Sequence, residues 1–188
     1  GLGSGREPTM QEVFEQLRLV EEHDSARGVF LRIGSMGSAW GRVSDLVEAI
    51  ERVRATGKPV HCHFDSLDNA GFALAVRACD RLSMTPAGHL NLVGVAAQVF
   101  YARELLDSVG VRAEVIAMGR YKSAGDMLTE TTMPEEAREA TEALLDDVSA
   151  GLVSAVALRF EGDAVRAQAA IDAGPYGAEA AHAAGLID

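Results

Sequence analysis

Apolar and polar positions along this chain switch repeatedly between a helical period and short continuous runs. Met10, Val13, Phe14, Leu17 and Val20 recur at helical spacing behind the capping box Thr9-Met10-Gln11-Glu12. Gly28 to Ile33 predicts a strand, followed by the glycine-rich loop Gly34-Ser35-Met36-Gly37-Ser38. A second helix is expected from a Ser44 cap, with Val43, Leu46, Val47, Ile50 and Val53 inward and Gly57 as its stop. Pro59 to Phe64 reads as the next strand and Asn69 to Cys79 as an alanine-rich helix. Arg81 to Thr85 reads as a short strand closed by Pro86. Val95 to Val109 carries Val99, Phe100, Leu105 and Leu106 at helical spacing, and Val111 to Met118 predicts a strand. Thr132-Met133-Pro134-Glu135 opens a long helix from Pro134 to about Val156. Its packed side is expected to be Ala140, Leu144, Leu145, Val148, Leu152 and Val156.

Strands separated by helical segments argue an α/β fold with a mainly parallel sheet and helical crossovers. The 188 residues are read as a single domain, 1-188, with residues 1-8 as a linker or trimmed end. No apolar run reaches the ~18 residues that cross a bilayer. Gly1 to Pro8 is polar, so a targeting segment would have to lie outside this sequence. A net charge of −11 disfavours nucleic acid and anionic headgroups as partners. Cys62 and Cys79 do not make a disulfide framework, and two buried, unpaired thiols are expected.

The residues with the most chemistry lie in Gly119-Arg120-Tyr121-Lys122-Ser123-Ala124, which follows the apolar Val115-Ile116-Ala117-Met118. Strand ends are where α/β folds commonly place catalytic groups, although a lysine there is more often a solvated charge. His61, His63 and Asp65 share one strand face, but no further spaced ligand set accompanies them. A structural histidine pair is expected, with no metal and no cofactor. Trp40 is assigned to packing, and Arg120 to a solvated position pointing away from Lys122.

Gly-x-Tyr-Lys-Ser-Ala, followed by Met133, Glu135, Arg138 and Glu139, resembles the lysine motif of the signal peptide peptidase A family. The resemblance spans most of the chain. It includes Gly28 to Val60, Ala78-Cys79-Asp80-Arg81-Leu82, Ala173-Gly174-Pro175-Tyr176, and the closing Ala184-Gly185-Leu186-Ile187-Asp188. It implies a Clp/crotonase-like fold of repeated β-β-α units. It also implies that Lys122 is the general base of a Ser-Lys dyad. Only a neutral amine can take a serine proton, and a free lysine near pKa 10.4 is almost wholly protonated at neutral pH, so such a site needs desolvation at a domain or subunit interface.

The chain departs from the family pattern where the nucleophile belongs. Relatives that carry it show Ala-Ser-Gly-Gly-Tyr-Tyr ahead of the aspartate matched by Asp80, and the serine position falls on Ala70. The family's Gly-Ser-Ile-Gly falls on Asn91-Leu92-Val93-Gly94. Met36 stands where Pro-Gly-Gly is usual, so a plain loop is expected there rather than oxyanion donors. Among in-chain serines, Ser123 is turned away from Lys122 by strand alternation. Ser66 precedes the expected position, and Ser35 and Ser38 suit turn chemistry. Tyr121, Gly71 and Gly34 are candidate groove-lining residues.

By this resemblance the chain looks like the lysine-bearing half of a two-half serine endopeptidase, inactive by itself. Its implied partners are a serine-bearing second half, homo-oligomer subunits, and signal peptides or other membrane-associated hydrophobic peptides. The implied location is the outer face of a cytoplasmic membrane. The competing expectation is a non-catalytic scaffolding or oligomerisation domain in which Lys122 makes a structural ion pair. An acyl-CoA enzyme of crotonase type would share the fold but leave the lysine motif unexplained.

Overall fold

Thr9 caps the first helix as its sequence dictates. Its hydroxyl accepts from the Glu12 N–H at 3.3 Å, and the Glu12 carboxylate accepts from the Thr9 N–H at 2.7 Å. This reciprocal pairing satisfies two otherwise orphaned helix donors. The computed structural model describes residues 8-37, 40-116 and 118-188, which form two compact units. The first comprises the chain up to Val93 together with Leu152–Asp188, and the second is Gly94–Gly151.

In the first unit, helix α1 (Met10–Glu22) leads to strand β1 (Val29–Arg32), helix α2 (Trp40–Ala55) and strand β2 (Val60–Asp68). Helix α3 (Asn69–Ala78) and strand β3 (Arg81–Asn91) follow. β1, β2 and β3 pair in parallel in that order, and a two-residue strand near the C-terminus (Tyr176–Gly177) adds antiparallel to β3. Val60, Cys62 and Phe64 alternate into the core, and His61 and His63 take the opposite face. Val43, Leu46, Ile50 and Val53 from α2 and the apolar length of α3 cover the inward face. The result is a mixed α/β fold with a mostly parallel four-stranded sheet flanked by helices.

Helix α2 starts at Trp40, a turn before Ser44, so Ser44 lies inside the helix. Trp40 packs half-buried against the core. β3 does not stop at Pro86, because the ladder with β2 is interrupted there: Phe64 pairs with Met84, and pairing resumes at Ser66 with His89. The proline falls in that gap, where no ladder N–H is needed. Gly88 lies so close to the Asp65 carbonyl that a Cβ would stand 2.2 Å from it, which excludes other residues.

Cys62 and Cys79 form a disulfide, contrary to the expectation of free thiols. Helix α3 returns alongside β2, so its C-terminal residue comes level with the start of the strand. The Asp80 N–H donates to the Val60 carbonyl at 2.8 Å, which fixes that level, and the two cysteine Cα atoms are 5.8 Å apart.

The second unit contains helix α4 (Arg103–Ser108), a 3-10 turn at Ser123–Gly125 and the short helix α5 (Asp126–Thr129). Helix α6 (Glu135–Ala157) starts in this unit and ends in the first. The helix expected from Val95 shrinks to α4, and residues 111-116 form no strand. Phe100, Leu105 and Ile116 are exposed, so these segments have neither a facing core nor a neighbouring strand to fix regular structure. α6 is the long helix its pattern predicts. Leu152 and Val156 are buried and Leu145 and Val148 half-buried, while Ala140 and Leu144 face outward. The inward stripe instead runs through Ala137, Thr141 and Leu145, one residue round the helix.

In the first unit, Ala164–Asp172 forms α7 and Ala178–Ala183 forms α8. The terminal Asp188 then locks onto β3. Its N–H donates to the Leu82 carbonyl at 2.9 Å, its carboxylate accepts from the Leu82 N–H at 2.7 Å, and Arg159 pairs with it at 3.0 Å.

Candidate active site

The position matched to the nucleophile, Ala70, is the second residue of α3 and is buried. Two polar side chains precede it, and each makes a clamp. Asn69 forms a two-point amide clamp with Val93, donating from Nδ2 to the carbonyl at 2.8 Å and accepting from the N–H at 3.0 Å. Leu92, at the position that the resemblance matches to a second serine, is fully buried and has no hydroxyl to offer.

Asp68, the residue before Asn69, caps α3 by accepting from the Gly71 N–H at 2.9 Å. Its second carboxylate oxygen accepts from the Gly37 N–H at 2.6 Å and from the Ser35 hydroxyl. Partial burial works to raise the Asp68 pKa, but these donors together hold it below the usual carboxylate value. Gly37, at φ +56°, supplies the left-handed turn in which its own N–H meets the carboxylate. The glycine loop thus closes onto Asp68 through the Gly37 N–H and the Ser35 hydroxyl.

Gly34 and Gly71 are brought together here. A Cβ on Gly71 would lie 3.3 Å from the Gly34 carbonyl oxygen and 2.7 Å from Leu67 Cδ2, so the loop lies against the start of α3 only because residue 71 is glycine. Ser35 is engaged with Asp68, and Ser66 shares a 3.1 Å hydrogen bond with His89 Nδ1. Ser38 lies outside the described residues. Asp68 was not among the residues singled out in the sequence. Its position just before an alanine-rich helix marks a cap, but its loop partners are some thirty residues upstream and pattern alone cannot pair them.

Lys122 belongs to the second unit, just before the 3-10 turn. Gly119, at φ +110°, turns the chain so that the Lys122 N–H donates back to the Gly119 carbonyl at 3.2 Å. Arg120 is drawn toward α6, 3.4 Å from Glu139 and 3.8 Å from Glu136, and lies over the Tyr121 ring. Tyr121 also donates to Glu139, at 3.3 Å. The side chain of Lys122 is exposed, and its ammonium has no hydrogen bond or ion pair among the described residues. The two residues before it are pinned to α6 while the amine itself is left unengaged.

The histidine pair is held by Ser83, whose hydroxyl meets His61 Nε2 at 2.8 Å and His63 Nδ1 at 2.9 Å. Among the described residues no group of three or more histidine, cysteine or acidic side chains is arranged to hold a metal ion. None of the described helices is long and apolar enough to cross a membrane.

A model of peptidase family S49 matches residues 52-188. The chain is 28% identical over 160 residues to "Serine protease SPPA, chloroplastic" of Arabidopsis thaliana, covering 85% of this chain and 24% of that protein. It is 26% identical over 136 residues to "Protease 4" of Salmonella typhi, covering 72% and 22% respectively. "Protease 4" of Haemophilus influenzae is 25% identical over 128 residues, covering 68% and 21%. The chain thus spans about a quarter or less of the length of these relatives.

Proposed function

Because the chain belongs to peptidase family S49, we propose that it is the lysine-bearing half of a Ser-Lys serine endopeptidase, with Lys122 as general base. The observation that carries this reading is an exposed Lys122 with no side-chain partner among the described residues, in a chain that has alanine at the position matched to the nucleophile. A structural ion pair at Lys122, which the scaffolding alternative needs, is not formed among the described residues.

The serine is supplied by a second half or subunit. Its hydroxyl oxygen attacks the scissile carbonyl carbon while its proton passes to the neutral Lys122 amine. The resulting ammonium then donates that proton to the departing amine, and water hydrolyses the acyl-enzyme. In the isolated chain the amine is bathed in solvent, so the base requires assembly to desolvate it.

The second unit is built for such assembly. Ile116 is 98% exposed, Met118 87% and Phe100 72%, and an assembly interface would cover such apolar side chains. We assign the substrates to signal peptides and other hydrophobic, membrane-associated peptides, on an extracytoplasmic face. The disulfide between Cys62 and Cys79 supports a compartment of that kind, since such bonds persist in oxidising surroundings.

The test is hydrolysis of a fluorogenic hydrophobic peptide by the isolated 188-residue chain and by the chain co-purified with a serine-bearing half. No turnover alone and turnover together is the expected result. Robust cleavage by the isolated, uncontaminated chain would place the nucleophile on one of its own serines and overturn the reading.

A further inference from the structure

The donors beside Ala70 already hold an anion. The Gly37 N–H and the Ser35 hydroxyl converge on one carboxylate oxygen, two residues before the position where a nucleophile would stand. Convergent backbone donors beside a nucleophile are what stabilise the oxyanion of an acyl-transfer intermediate. Here the same carboxylate also caps α3, so it is tethered at both ends and is not free to swing away.

We propose that Asp68 is an internal plug, occupying the glycine-loop donors so that the site at position 70 is silenced by two changes and not by the missing serine alone. The inference rests on reading Ala70 as the nucleophile position. Its consequence is specific: restoring a hydroxyl at position 70 leaves the site inert, because a carboxylate already fills the space and charge an oxyanion would take. A tetrahedral oxyanion brought to the same donors would meet like-charge repulsion as well as a lack of free N–H groups. Asp68 is thus a positioning residue, acting through the glycine loop.

The experiment is the rate of covalent labelling of the 188-residue chain by a fluorophosphonate. The introduced hydroxyl oxygen bonds to phosphorus as the P–F bond breaks, its proton passes to a solvent base, and fluoride leaves. The negatively charged phosphoryl oxygen of the addition needs the loop donors. Four chains are compared: unmodified, Ala70→Ser, Ala70→Ser with Asp68→Ala, and Ala70→Ser with Asp68→Asn. The asparagine keeps an acceptor for the Gly71 N–H and releases the loop donors from the carboxylate.

Ala70→Ser alone is expected to label no faster than the unmodified chain. Either double variant is expected to label at least about tenfold faster, a conservative figure beside the 10²- to 10³-fold that a single oxyanion donor contributes. Labelling of the single variant as fast as the doubles would overturn the plug. So would doubles that melt cooperatively yet label no faster, and so would loss of folding in both doubles, which would make Asp68 a structural cap only. Every chain compared carries Lys122 and lacks a second half, so the ratio is blind to the dyad. Failure of the plug and failure of the lysine assignment are therefore read separately.

Discussion

Tyr121 donates its phenolic hydrogen to Glu139 of α6 at 3.3 Å, one residue before an ammonium that is left unengaged. The same Glu139 oxygen receives Arg120 at 3.4 Å. Two neighbours thus fix the backbone from which Lys122 projects. All of these side chains are exposed, so the contacts hold geometry more than they add stability.

Glu139→Ala is accordingly expected to change the unfolding free energy by less than about 1 kcal/mol. In an assembled, active protein it is expected to lower kcat, because a base displaced by an ångström loses alignment. Urea denaturation and peptide hydrolysis measured on the same preparation separate the two effects. Equal activity with and without Glu139 would remove it from the positioning of Lys122.

The disulfide closes a span of 17 residues between β2 and the end of α3. Constraining a loop of that size is worth about 3 kcal/mol in the chain-entropy account. The double variant Cys62→Ala with Cys79→Ala is expected to lower the urea midpoint by a corresponding amount. Ellman titration of the unfolded, non-reduced chain should find no free thiol. Two titratable thiols would contradict the pairing.

Acid should destabilise the fold through carboxylates that the fold holds ionised. Partial burial acts to raise the Asp80 pKa, but the Val60 N–H and Arg54 bring it below the usual value. The Asp188 carboxyl is lowered in the same way, against partial burial, by the Leu82 N–H and Arg159. A depressed folded-state pKa contributes stability above the unfolded value, about 3.9, and that contribution is lost as pH falls through the folded value. The melting temperature should therefore hold from neutral pH to about pH 5 and fall below about pH 4. Asp80→Asn should flatten part of that fall, and an unchanged slope would show that Asp80 carries none of it.

The first unit was readable in the sequence because its patterns answer to burial. The capping box at Thr9, the alternation in β2 and the stripe of α2 each have a core to face. Most of the second unit, α6 apart, was not. Val99, Phe100 and Leu105 have helical spacing, yet most of that segment is not helical, since its apolar residues are exposed and periodicity without a partner surface decides little. Lys122, Gly34, Gly71 and Ala70 could be named from motif resemblance. Asp68 could not, because a capping aspartate in sequence reveals nothing of a loop that returns to it from another strand. The Cys62–Cys79 bond escaped for a related reason: two cysteines give spacing but not the level at which α3 passes β2.

The most direct test of the account is substitution of Lys122 in the chain joined to its serine-bearing half. Lys122→Ala is expected to fold normally by circular dichroism and to lose about 10²- to 10⁴-fold or more in turnover of a hydrophobic peptide. Lys122→Arg should be nearly as damaging, because a guanidinium keeps its proton and cannot accept another. Full activity in the alanine variant would contradict the account and remove Lys122 from the mechanism.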